Sequence, residues 1–158
     1  SEVSQGKPSN GAFVSGMKGL TGTYKDRQYE CAACLYGTME IPREDKEARN
    51  ALMIKNWEFF GAPHVGFISM PLTMGPTNAI DIGIYLQSLM LLMTENGLAS
   101  CPQGALAMYP DPIHEIAQIP EGNGVICGIS FGYADETAQI NKTKTPRDTL
   151  ENTVTLVS

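Results

Sequence analysis

The sequence predicts an α+β fold, and three observations carry that prediction. Helical periodicities dominate the middle of the chain, short β-rich runs stand between them, and no repeating βαβ period links the two. The strand candidates are AFVSG, starting at Ala12, HVGFISM from His64 to Met70, and GVICGISFG from Gly124 to Gly132. The last is apolar at nearly every position, as a strand buried on both faces requires.

Taken in order, the opening SEVSQGKPSNGAFVSGMKGLTG is polar and rich in Gly and Ser, with AFVSG as its one strand candidate. A mixed segment from Lys25 to Met39 reads as helix, ending near Gly37. Pro42 is expected to open the next helix, since proline suits a first turn and Glu44 and Asp45 favour the positive dipole end. Met53, Trp57 and Phe60 recur at helical spacing as its apolar face, and Gly61 and Pro63 stop it.

After HVGFISM and the turn-rich PLTMGPTN, residues Ala79 to Leu98 form the most apolar helix candidate, with Gly97 as its C-terminal cap. Apolar residues lie nearly all round it, so it is expected to be buried on several faces, in a core or against a partner subunit. GLASCPQGAL, residues 97–106, reads as a loop. PDPIHEIAQIPEG reads as a short amphipathic helix capped by Asp111, with Ile113, Ile116 and Ala117 on one face. The polar tail ends in the strand candidate TVTLV.

With 158 residues, 42% of them hydrophobic, the chain is long enough for one compact domain with a sizeable core. Its formal charge of -6 argues against non-specific nucleic-acid binding, which needs a basic surface. No apolar run is long and uninterrupted enough to span a bilayer, and no signal peptide is visible.

The four cysteines, at positions 31, 34, 101 and 127, do not form a disulfide framework, which suits a reducing, cytoplasmic compartment. Cys127 sits in an apolar run and reads as a core thiol. Cys31-Ala-Ala-Cys34 has redox-motif spacing, but it follows the charged YKDRQYE where a thioredoxin-type site needs a strand. A zinc site needs two further ligands, and Cys101, Cys127, His64 and His114 show no paired spacing. Two thiols on neighbouring helical turns is the reading that fits, and no metal is expected.

Two segments could carry chemistry. In GLASCPQGAL, Pro102 and Gly104 flank Gln103, and glycine lets backbone N–H groups approach a flat ligand, although most such segments are only turns. In NKTKTPR, Lys142, Lys144 and Arg147 gather positive charge beside the hydroxyls of Thr143 and Thr145, which suits a phosphate monoester, although on composition alone a solvated basic loop is the commoner reading. No G-x-G-x-x-G, P-loop or nucleophile elbow is present.

YGTMEIPREDKEARNALMIKNWEFFGAPH, AIDIGIYLQSLMLLMTENGLASCPQGAL, the helix with IPEG, ICGISFGYAD and NKTKTPR follow one another as in the nitroreductase family, which this sequence resembles from about Tyr36 onward. The resemblance implies an FMN-binding homodimer with a mixed central sheet flanked by helices and a long buried helix at the dimer core. It implies hydride transfer from NADH or NADPH through the flavin to a nitroaromatic, quinone or similar small-molecule acceptor, with the flavin carrying the chemistry and no catalytic side chain of the protein.

Carried over by position, Pro102, Gln103 and Gly104 match the segment facing the flavin ring, and Lys144 and Arg147 match the positions holding the FMN phosphate. TVTLV resembles the terminal extension that reaches over the partner. The family's N-x-Q-P-W segment can be laid on Gln5-Gly-Lys-Pro-Ser9, placing Gln5 for Asn, Lys7 for Gln and Ser9 for Trp, with Pro8 identical. The family's arginine-rich opening segment has no counterpart in this sequence. The expectation is one nitroreductase-like domain over residues 1–158, incomplete at its N-terminus relative to the family. A rival expectation is a non-catalytic dimeric binding or structural relative that has lost full flavin binding.

Overall fold

The computed structural model describes residues 5–13 and 19–157. They divide into two compact units, one of residues up to 19 together with 50–134, the other of residues 20–49 and 135–158. The AFVSG strand candidate falls largely on residues 14–18 and so lies outside the described residues.

The first unit is built on a three-stranded sheet of β1 (His64–Pro71), β2 (Ala99–Gln103) and β3 (Asn123–Gly132), in the order β1-β3-β2. Both pairings among the described residues are antiparallel. The run apolar on both faces becomes the central strand, paired along one edge with β1 and along the other with β2. Val125, Cys127, Ile129 and Ser130 are buried along it. Register shifts between Ile68 and Ser69, leaving β3 one residue ahead of β1 there.

Leu106, Ala107, Ile113 and Val125 form the core, with Trp57, Phe59, Val65, Phe67 and Ile119 packed against it. Burying a side chain such as Leu106 or Val125 contributes about 1.5–3 kcal/mol. The sheet face beneath requires glycine: a Cβ on Gly128 would overlap the Leu106 side chain, and one on Gly132 would stand 2.7 Å from Cδ of Pro63.

Helix α3 (Pro76–Glu95) begins three residues before the expected Ala79, with Pro76 in its first turn and the Asn78 side chain accepting from the Gly75 N–H at 3.3 Å. Gly97 ends it as expected. At φ +74 it lets its own N–H reach Thr94 O at 3.0 Å, and the Leu98 N–H reaches Met93 O at 2.8 Å. Burial in the chain's own core is overturned: no residue of α3 is buried. Its apolar residues exceed what this small sheet can cover, and Ile80, Ile84, Tyr85, Leu91 and Leu92 are exposed.

Other expectations are corrected in the same unit. Within residues 97–106, Ala99–Gln103 form an edge strand and Gly104 opens a 3-10 turn (Gly104–Met108), where a loop was expected. Pro102 is tolerated because β2 pairs on one side only among the described residues. In α4 (Asp111–Ala117) Ile113 is buried while Ile116 is exposed, and Asp111 lies inside the helix, accepting from the Asn10 side chain at 2.9 Å instead of capping. The 3-10 segment Lys55–Gly61 breaks the Met53–Trp57–Phe60 face. Phe59, Phe60 and Gly61 have φ of 53°, 54° and 75°, so Trp57 reaches the core while Met53 and Phe60 stay exposed.

In the second unit, α1 (Gly22–Thr38) matches the expected helix. The helix expected from Pro42 starts at Lys46 instead (α2, Lys46–Ile54), because Asp45 Oδ1 accepts the Ala48 N–H at 2.9 Å and so caps it. The boundary between the units falls within α2. Gln139 donates to Thr38 O at 3.1 Å, fixing the 3-10 turn Gln139–Lys142 on the end of α1. The TVTLV strand is not formed. A short helix, α5 (Leu150–Thr153), takes its start, and Val154, Leu156 and Val157 are exposed, with no strand pairing there among the described residues to reward their β propensity.

Candidate active site: the Pro102–Gly104 edge and the basic arm

The first candidate segment is positioned by the sheet. Pro102 and Gln103 close β2, opposite Ile129 and Gly128 of β3, and Gly104 opens the 3-10 turn. The Gln103 side chain faces inward, and the residue as a whole is 2% exposed. Its Nε2 donates to the Asn56 carbonyl oxygen at 2.8 Å, and its Oε1 accepts the hydroxyl of Ser130, itself 3% exposed. A carbonyl oxygen only accepts, so the amide orientation is fixed by Asn56 and the Ser130 hydroxyl must donate. Gln103 is therefore buried as a whole, and the outward-open position is its neighbour: Gly104 is exposed, and a Cβ added there would meet open space.

Sequence reasoning missed Ser130 and Asn56. The available signal was a lone hydroxyl inside GVICGISFG, since a polar group buried in such a run requires a partner. Of the more N-terminal candidates, Gln5 lies in an exposed turn, and the carbonyl oxygen of Lys7 accepts the Tyr109 hydroxyl at 3.0 Å, tying its backbone to the same unit as Gln103.

Lys144 and Arg147 lie in the second unit, both exposed. Arg147 Nη1 donates to the Thr145 hydroxyl at 2.8 Å and to the carbonyl oxygens of Thr145 and Pro146, each at 3.2 Å. It also lines a groove of about 810 Å³ whose charged residues are Asp26, Arg27, Glu30, Asp148 and Arg147, and Lys144 is not part of that lining. Arg27 is ion-paired with Asp148. Hydrogen bonds from the Asn152 side chain and the Thr149 N–H hold Asp148 below the usual aspartate range, so this carboxylate stays charged. Three carboxylates against two guanidinium groups give this groove a net negative charge as it stands.

Cys31 and Cys34 lie on α1 as two free thiols one turn apart, and Cys31 lines the same groove. Burial pushes the Cys101 and Cys127 thiols up. Among the described residues no group of three or more His, Cys, Asp or Glu could hold a metal ion.

The sequence model of the Nitroreductase family matches residues 23–133. The chain belongs to the nitroreductase family. It is 37% identical over 132 residues to the nitroreductase NfnB of Mycolicibacterium smegmatis, covering 84% of this chain and 56% of that protein. It is 34% identical over 130 residues to a 4-nitrobenzoate reductase of Pseudomonas putida, covering 82% and 57%. It thus spans a little over half the length of these nitroreductases. The crystal structure of the FMN-dependent nitroreductase NfnB from Mycobacterium smegmatis in complex with NADPH superposes with a TM-score of 0.92 at 32% identity, over 99% of this chain and 70% of that one. This supports the α+β nitroreductase-like fold expected from the sequence.

Proposed function

We propose that this chain is part of an FMN-dependent oxidoreductase that passes hydride from NADH or NADPH to a nitroaromatic, quinone or similar small acceptor, working as a homodimer in the cytoplasm. Residues 1–158 would then belong to one nitroreductase-like domain. The family membership, the FMN-dependent relative complexed with NADPH and the nitrobenzoate reductase among the relatives support the reaction class. Among the described residues, no helix is long and apolar enough to cross a membrane.

The observation that carries the reading is the Pro102–Gly104 edge: outward-open backbone at Gly104 beside a side chain locked inward at Gln103. These residues fit a flat heterocycle, because a planar ring needs close backbone approach and fixed donors, and a Cβ at position 104 would occupy that space. When bound, FMN supplies the two-electron relay between nicotinamide and acceptor. The chain's part is to hold the ring edge at residues 102–104, with Gln5 and Lys7 of the same unit assigned to cofactor binding, while the phosphate is assigned to Lys144 and Arg147.

Titration of the full chain with FMN, read by fluorescence quenching and followed by bleaching of bound flavin with NADPH or NADH, tests this. Saturable quenching and bleaching are expected; neither occurring overturns the proposal. The rival reading, a non-catalytic dimeric relative, is favoured by one observation: the groove beside Arg147 is acidic and its Arg27 is already paired. A folded dimer indifferent to FMN would establish it.

A further inference from the structure

Gln103 and Ser130 are the buried polar side chains among the described residues, and they meet each other. Their meeting follows from the register. Gln103 pairs with Gly128, so Ser130, two residues on along β3, is its diagonal neighbour on the same sheet face. Gly128 contributes no side chain, and Leu106 from the following 3-10 turn fills the vacated space. The Gln103 amide then reaches the carbonyl oxygen of Asn56, in the segment that runs into the left-handed Phe59–Phe60 turn. One side chain thus ties the edge strand to the central strand and to the 55–61 segment. Neither bond is needed to close the sheet. Replacing both partners of a buried hydrogen bond by apolar groups of the same shape can be nearly neutral to stability, so packing alone does not call for this pair.

We propose that Ser130 is a positioning residue: through Gln103 it fixes the backbone of residues 102–104 at the angle from which it meets the flavin ring. This rests on the flavin reading above. Ser130 itself touches no cofactor. Its hydroxyl donates to the Gln103 amide oxygen, completing an amide whose orientation the Asn56 carbonyl sets, and the amide anchors the edge that ends in the exposed Gly104. A backbone donor beside the ring changes its electron affinity according to distance and angle, so a loosened edge alters the bound flavin's spectrum and potential before it alters the fold.

The test uses the full chain and three variants, Ser130→Ala, Ser130→Thr and Gln103→Met. Without FMN, amide exchange at residues 102–106 and 55–57 should rise about tenfold in Ser130→Ala and Gln103→Met, the scale of one lost buried hydrogen bond, and return toward the parent in Ser130→Thr. With FMN, the same two variants should shift the flavin absorbance bands and midpoint potential and weaken FMN binding about tenfold, again restored by threonine. Gln103→Met keeps the buried volume, so it remains informative if Ser130→Ala folds poorly. If the parent binds FMN and the variants match it in spectrum and potential, the positioning role is overturned and the pair is packing. If the parent binds no FMN while the exchange effect persists, the flavin reading itself has failed, and the positioning role falls with it for that separate reason.

Discussion

Arg147 Nη1 donates to the Thr145 hydroxyl at 2.8 Å, two residues back along its own arm. The guanidinium is thus held by the loop that carries it, and an incoming phosphate would exchange these bonds for stronger charge-assisted ones. Arg147→Ala should weaken FMN binding about tenfold, the low end for a hydrogen bond to a charged group, because the internal bonds must first be given up. Riboflavin, lacking the phosphate, should bind parent and variant alike. Quenching titrations with both ligands decide it: equal FMN affinity in parent and variant would place the phosphate elsewhere.

Helix α3 exposes Ile84 at 62% and Leu91 at 61% of their surface, with no buried residue along its twenty. The chain is expected to be dimeric at micromolar concentration, with this face covered. Light scattering should show the dimer, and Ile84→Glu together with Leu91→Glu should yield a folded monomer, since neither side chain supports the core of the single chain. A monomeric parent would contradict this.

Gly132 lies under the ring of Pro63, which cannot rotate away. Alanine there places its Cβ 2.7 Å from Pro63 Cδ and 3.0 Å from Cγ, so the 62–64 turn must shift. Overpacking of this kind costs about 1–3 kcal/mol. Urea unfolding should show the midpoint falling with an unchanged m-value.

The thiols should separate by reactivity. Cys31 is exposed on α1, whereas Cys127 is buried with its pKa pushed up by that burial, so its thiolate is scarce near neutral pH. Iodoacetamide followed by mass mapping should modify Cys31 long before Cys127. Cys31→Ser and Cys34→Ser should leave reductase turnover unchanged. Loss of turnover with flavin content intact would make the C-x-x-C functional.

Asp148 ties α5 to α1. Its pKa is depressed, chiefly by the hydrogen bonds from the Asn152 side chain and the Thr149 N–H and then by Arg27. A depressed carboxyl contributes stability that is present above its unfolded pKa and lost as pH falls through the folded one. The α5 segment should therefore loosen only below the ordinary aspartate range. Carboxyl-carbon NMR titration should place Asp148 below a typical aspartate, and Asp148→Asn should remove the transition.

What the sequence by itself determined was local. Gly97 had to end α3 because its left-handed φ suits glycine, and GVICGISFG had to be a buried strand because both of its faces are apolar. Motif order was enough to reach the family. Tertiary structure decided what depends on distant partners. It turned residues 99–103 from an expected loop into an edge strand by pairing them with β3, and it denied TVTLV a strand by offering no partner among the described residues. It also left α3 bare, because a periodicity records how apolar a helix is but not what covers it. Gln103 shows the division most clearly. Its place beside Pro102 and Gly104 was legible, but that its side chain turns inward follows only from the register bringing Ser130 within reach and from Asn56, 47 positions away, supplying a carbonyl. Satisfying a buried amide is a long-range requirement, and no local pattern encodes it.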